Sequence, residues 1–151
     1  MEKCNVFAVI NQPSVAGDAR ISPRSCRYSP NMAPILVVDD ESLIRWSLAE
    51  SLEADGFTVL EAASAREALA CLDRRDDISV VLLDLKLPDS TDLNLLRLLR
   101  RLAPNSRVIL MTAHGSADVL EEALRAGAFR AVSKPFDLQD MVALVRDAVA
   151  A

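Results

Sequence analysis

The sequence predicts an α/β protein with an open, largely parallel sheet, and three observations support that fold class. From Pro34 onward, short apolar runs alternate with amphipathic stretches, the texture of repeated βα units. The run from Ile78 to Leu83 is apolar apart from Ser79, as expected of a strand covered by helices on both faces. The amphipathic stretches open on capping residues and close near Gly or Pro. With 151 residues, 51% of them hydrophobic and 26% charged, the chain suits one soluble domain with a real core.

Ile35 to Val38 reads as the first strand. A helix follows from about Glu41, with Ile44, Leu48 and Leu52 on one face, and stops near Gly56. Phe57 to Glu61 is the expected second strand. Ser64-Ala-Arg-Glu67 is a capping box: Ser64 can accept from the Glu67 amide while Glu67 reaches back, opening a helix that buries Ala68, Leu69 and Leu72. Ile78 to Leu83 is the third strand. A helix from about Thr91 presents Leu95, Leu98, Leu99 and Leu102, and Pro104 closes it. Arg107 to Met111 is the fourth strand, and Ser116 caps a helix that buries Leu120, Ala123 and Leu124 before Gly127. Ala128 to Val132 is the fifth. Asp137 caps a last helix carrying Leu138, Met141, Val142 and Val145 inward.

Bulk features narrow the function classes. No apolar run approaches the roughly 20 residues needed to cross a bilayer, so a membrane protein is not expected. Cys4, Cys26 and Cys71 match no metal-ligand spacing, His114 is the one imidazole, and no export signal is apparent, which predicts a reducing cytoplasm. Residues 1–31 carry Pro13, Pro23 and Pro30 without a sustained period and read as a flexible extension before a domain over 32–151, with Met32 as an alternative start. That extension holds four basic and two acidic groups, so the domain is more acidic than the whole chain at −5. Direct binding of nucleic acid is not expected of it.

In an open parallel sheet, ligands collect at the carboxyl ends of the strands. The first strand leads into Asp39-Asp40, the third into Asp84, the fourth into Thr112 and the fifth into Ser133-Lys134-Pro135. Three converging carboxylates repel unless a cation sits among them. An all-oxygen donor set favours a hard ion such as Mg²⁺. Asp84, at the tip of the central strand, is then the best-placed nucleophile, since a carboxylate can form an aspartyl-phosphate while Lys134 neutralises phosphoryl oxygens. Taken singly, each residue has a plainer reading: Asp39-Asp40 as helix caps, Thr112 as a strand-end hydroxyl, Lys134 as a turn lysine, His114 as an exposed loop residue, and Trp46 as a partly buried or contact side chain.

Asp39-Asp40, Asp84-Leu-Lys-Leu-Pro88, Thr112-Ala113 and Lys134-Pro135-Phe136, in that order and each after an expected strand, resemble the receiver domains of two-component response regulators. The resemblance spans Pro34 to about Ala150. It implies a flavodoxin-like (βα)5 sandwich with strand order 2-1-3-4-5 and Mg²⁺-dependent phosphorylation by a sensor histidine kinase or phosphotransfer protein. It further implies that Asp39, Asp40, Asp84 and the backbone carbonyl of Lys86 hold Mg²⁺, directly or through water. Asp84 takes the phosphoryl group, Thr112 bonds one of its oxygens and Lys134 another, before what is commonly a cis bond to Pro135. The stretch Leu43 to Leu48 is similar to receivers of nitrogen-regulator-type transcription activators. The resemblance makes the chain a phosphoacceptor rather than a turnover enzyme, either alone or as part of a longer activator. Its output would be read on the face of the fourth helix, fifth strand and last helix by an output domain, a partner or a second copy.

Two departures stand out. Ala131 lies three residues before Lys134, where the family usually has Tyr or Phe, so the conventional threonine-aromatic coupling has no ring to move; Phe129 shares its strand parity. Asp92 replaces the glycine common eight residues after the acceptor, with Asp89 and Ser90 beside it, and the extra negative charge is expected to weaken phosphate approach or to demand tighter Mg²⁺ neutralisation. Two rivals follow: a receiver-like binding module that works without phosphorylation, and an aspartate-nucleophile phosphohydrolase of the haloacid-dehalogenase kind. In the latter the nucleophile follows the first strand in an Asp-x-Asp pattern.

Overall fold

The computed structural model describes residues 34–151, so the expected extension over 1–31 lies outside the described residues. The elements are β1 (Ile35–Val38), α1 (Ser42–Ala54), β2 (Val59–Ala62), α2 (Ala65–Arg74), β3 (Val80–Asp84), α3 (Asn94–Leu102), β4 (Arg107–Thr112), α4 (Ala117–Arg125), β5 (Arg130–Ser133) and α5 (Leu138–Ala150). All five strands pair in parallel in the order β2-β1-β3-β4-β5, which is the expected flavodoxin-like topology.

The near-continuous apolar strands are explained by two cores, one on each face of the sheet. Ile35 and Val37 of β1, Val80 and Leu82 of β3, and Ile109 and Met111 of β4 pack with Leu48 and Leu52 of α1 and with Met141, Val142 and Val145 of α5. The alternate residues Leu36, Val38, Val81, Leu83, Val108 and Leu110 pack with Ala68 and Cys71 of α2, Leu95, Leu96 and Leu99 of α3, and Ala123 of α4. A one-residue slip would exchange every side chain between the two layers. Each fully buried Leu or Ile contributes about 1.5–3 kcal/mol, so the register is firmly held.

Strands β2, β3 and β5 begin later than expected, and β3, β4 and β5 run on to Asp84, Thr112 and Ser133. The candidate site residues are therefore terminal strand residues or their immediate successors. Helix α3 starts at Asn94 rather than about Thr91, because a turn closed by Leu87 and Ser90 uses up the intervening chain and Asp92 Oδ1 accepts from the Asn94 amide at 2.9 Å. Its buried stripe is Leu95, Leu96 and Leu99, which leaves Leu98 half-buried and Leu102, at the margin, 60% exposed. On α4 only Ala123 is buried and Leu124 is 48% exposed, against expectation, since this helix presents a narrow stripe to the sheet. Ser64 caps α2 as predicted, accepting from the Glu67 amide, but Glu67 reaches back to the amide of Ala63 rather than of the cap residue. Gly56 and Gly127 follow α1 and α4 with φ of 96° and 105°, a backbone region that glycine adopts without strain.

Candidate functional site

The strand ends bring Asp39, Asp40, Asp84 and Lys134 together. One carboxylate oxygen from each aspartate lies within 4.8 Å of the others. Asp39 is fully buried and Asp84 nearly so, while Asp40 is exposed. Lys134, just past β5, sends Nζ between the two buried carboxylates, 2.7 Å from Asp39 Oδ2 and 3.4 Å from Asp84 Oδ2, with Glu41 at 3.9 Å. The peptide bond between Lys134 and Pro135 is cis. Asp39 also accepts through Oδ1 from the Glu41 amide at 2.9 Å, so the capping interaction and the cluster coexist in one side chain.

Burial pushes the Asp84 carboxyl above the ordinary carboxylate range, and the charge of Asp39 adds to the rise; Lys134 and the Lys86 amide oppose it without cancelling it. Burial works against the Lys134 ammonium, yet its hydrogen bond to Asp39 and the charges of Asp39 and Asp84 together hold it above the usual lysine value. Three carboxylates thus share one ammonium. The excess of negative charge, presented wholly by oxygen donors, fits a hard divalent ion such as Mg²⁺.

Thr112 is the last residue of β4 and is buried beside this cluster: its carbonyl accepts from the Lys134 amide at 2.7 Å, and its Oγ1 accepts from the His114 amide at 3.2 Å. Lys86 follows β3, its amide 3.2 Å from Asp84 Oδ1. The His114 side chain is exposed, as is Trp46 at 58%. Ala131 packs against the core under α2, α3 and α4, whereas Phe129 packs on the α1/α5 side. The two do not share a face. Phe129 precedes β5, where strict alternation no longer holds, and it cannot stand in for a missing ring at position 131. Nearby, the loop before α4 lies against β5 so closely that a Cβ on Gly115 would fall 2.1 Å from Ser133 Oγ.

Two contributors escaped the sequence reading. Arg45, on α1, donates from Nη1 to the Asp39 carbonyl at 2.6 Å and pairs through Nε with Glu61 at 3.2 Å, bracing the ends of β1 and β2. Its position six residues after Asp39, within reach of the strand end, was the available signal. Glu41 adds a further carboxylate near Lys134. Asp89 does not direct its charge at the acceptor: Oδ1 accepts from the Ala65 amide at 2.8 Å and Oδ2 from the Arg66 amide at 3.0 Å. Desolvation alone would raise its carboxyl, but these two bonds outweigh it and hold the group below the usual range. Of the two loop carboxylates, Asp89 is thus bound to the start of α2, while Asp92 accepts from the Asn94 amide and side chain.

A family model described as the response regulator receiver domain matches residues 35–146. The DNA-binding transcriptional regulator NtrC of Salmonella typhimurium is 38% identical over 115 residues, 76% of this chain and 24% of that protein. Sporulation initiation phosphotransferase F of Bacillus subtilis is 37% identical over 116 residues, covering 76% of this chain and 89% of the relative. The chain thus spans about a quarter of the length of the NtrC relatives and most of the phosphotransferase. Among solved structures, a CheY-like response regulator receiver domain protein from Methanospirillum hungatei superposes with a TM-score of 0.74 at 31% identity, over 79% of this chain and 94% of that one.

Proposed function

The chain belongs to the response regulator receiver domain family of two-component systems, and from that premise we propose that Asp84 is its phosphoacceptor. The observation that carries the proposal is the convergence of Asp39, Asp40, Asp84 and Lys134 at one sheet edge. The donor is a phosphohistidine on a sensor kinase or phosphotransfer protein. An Asp84 carboxylate oxygen attacks phosphorus as the phosphorus–nitrogen bond of the donor breaks, and the donor histidine retains the electron pair. Lys134, already between Asp39 and Asp84, turns its ammonium to a phosphoryl oxygen, and the Thr112 hydroxyl, which accepts from the His114 amide, donates its proton to another. Asp39, Asp40 and Asp84, with the Lys86 carbonyl, would hold Mg²⁺, which when bound supplies positive charge against the phosphoryl oxygens.

A recess of about 520 Å³ beside Lys134, lined by Leu43, Ile44, Ala113, Pro135 and Phe136, together with the exposed Leu43 and Trp46, supports donor docking on this side of the rim. Exposed Leu124 on α4 supports readout on the α4-β5-α5 face, by an output domain, a partner protein or a second copy. Among the described residues no helix is long and apolar enough to cross a membrane, which is compatible with a cytoplasmic role. On this reading the chain catalyses only its own phosphorylation and dephosphorylation, and its output lies in transcription regulation, as in the NtrC relatives. Incubation with acetyl phosphate and Mg²⁺ should add one hydroxylamine-sensitive phosphoryl group at Asp84, seen by intact and peptide mass spectrometry; an unmodified Asp84 would refute the proposal.

Ala131 favours a second reading, a receiver-fold binding module whose partner affinity does not depend on phosphorylation. Partner binding unchanged in Asp84→Asn would select it.

A further inference from the structure

The start of α2 leaves three backbone amides, those of Ala65, Arg66 and Glu67, without partners inside the helix, whereas the next, Ala68, already donates to the Ser64 carbonyl at 3.0 Å. Ser64 Oγ takes the Glu67 amide. The other two are met from a different element, because both oxygens of Asp89 are engaged there across more than twenty residues of sequence.

Asp89 is part of the loop that leaves the acceptor. That loop is tied at short intervals: the Leu85 amide donates to the Met111 carbonyl at 2.9 Å, the Lys86 amide to Asp84 Oδ1 at 3.2 Å, and the Leu87 amide to the Ser90 carbonyl at 2.8 Å. Leu87 is buried. Lys86 therefore sits between two fixed points, the end of β3 behind it and the Asp89 clamp ahead of it. Among the described residues, the turn from Leu87 to Ser90 is otherwise fixed by its own two bonds, the Pro88 ring and the buried Leu87 side chain.

We propose that Asp89 is a positioning residue for the metal-assisted phosphorylation of Asp84, acting by tying the loop that carries Lys86 to the first turn of α2. This inference rests on the proposed function, since it concerns how the same site is held. Its effect is transmitted through the backbone of residues 86–88 and requires no contact between Asp89 and the ion. Groups that orient ligands without touching a metal commonly change its affinity by about tenfold or more.

The test compares Asp89→Ala and Asp89→Asn with Ser64→Ala, which removes a cap from the same helix end and leaves the loop alone. Mg²⁺ affinity is measured by titration calorimetry, melting temperature by circular dichroism, and protection of the Lys86 and Leu87 amides by hydrogen exchange. Asp89→Ala is expected to weaken Mg²⁺ binding by about tenfold and to lower amide protection. Asp89→Asn, which retains one acceptor, should fall between it and the wild type. Ser64→Ala should lower the melting temperature with Mg²⁺ affinity unchanged. Equal losses of Mg²⁺ affinity in Ser64→Ala and the Asp89 variants, or unchanged affinity in both Asp89 variants, would overturn the inference while the phosphoacceptor reading stood. A wild-type protein that bound no Mg²⁺ would remove both.

Discussion

The rim of the sheet has two unlike halves. At the ends of β1 and β3 every polar group is charged, buried or tied down: Asp39 is held by Lys134, the Glu41 amide and Arg45, and Asp84 by Lys134 and the Lys86 amide. At the ends of β4 and β5 the groups around Lys134 are small and neutral, with Thr112, Ala131, Ser133 and Gly115 in place of aromatic bulk. The first half carries an excess of negative charge that a cation can relieve. The second can respond only by small shifts of a hydroxyl and a loop. Variants in the two halves should therefore fail differently.

The largest effect is expected at Asp84. Asp84→Asn should abolish phosphorylation by acetyl phosphate, and at neutral pH it should also stabilise the fold, because the ionised carboxyl it replaces is disfavoured by burial and by Asp39. The sign in pH follows from the raised carboxyl. The wild type gains stability as pH falls through that raised value, where Asp84 takes up its proton, and Asp84→Asn lacks this gain. Thermal melts across the acid range would show it, and parallel pH profiles for the two proteins would remove the electrostatic account.

Next comes Lys134. Lys134→Ala leaves Asp39 and Asp84 facing one another without their ammonium and should cost about 3 kcal/mol, part of it recovered on adding Mg²⁺. A chemical denaturation midpoint insensitive to Mg²⁺ in this variant would contradict the idea that the two cations act on the same charges. Thr112→Val belongs to the quieter half. It frees the His114 amide of its hydroxyl partner and should cost about 1 kcal/mol in denaturant unfolding, with Asp84 phosphorylation slowed less than in Lys134→Ala.

The smallest change is expected away from the rim, at the ion pair of Asp55 with Arg146, where Nε and Nη2 of the guanidinium each donate to one carboxylate oxygen. The hydrogen bond from Arg146 lowers the Asp55 carboxyl below its usual value of 3.8 despite some desolvation. Its stabilisation is present above that value and is lost as pH falls through the lower folded one. Asp55→Asn should therefore reduce the melting temperature slightly at neutral pH and not at all in strong acid, with phosphorylation unaffected.

The half of the molecule that was legible in sequence is the half governed by short range. Alternation of apolar runs gave the five βα units, and the residues following each strand gave Asp39, Asp40, Asp84, Thr112 and Lys134, because a parallel sheet delivers strand ends to one edge whatever lies between. What escaped depends on partners brought near only by folding. Asp89 looks like loose charge in a loop until α2 is placed beside it, and Arg45 looks like a helix surface residue until the turn after β1 brings the Asp39 carbonyl under it. Leu124 fits the apolar period of α4, but period does not report how wide a stripe the neighbouring sheet will accept. Phe129 was misjudged because alternation was extended one residue beyond the strand that enforces it.

The near-contact of Gly115 with Ser133 links the quiet half to the reactive one. With the Ser133 hydroxyl in the space a methyl group would fill, the segment from His114 to Ser116 has no slack on its β5 side. A side chain at position 115 would meet that hydroxyl, so the close approach of the loop to β5 depends on glycine at this place.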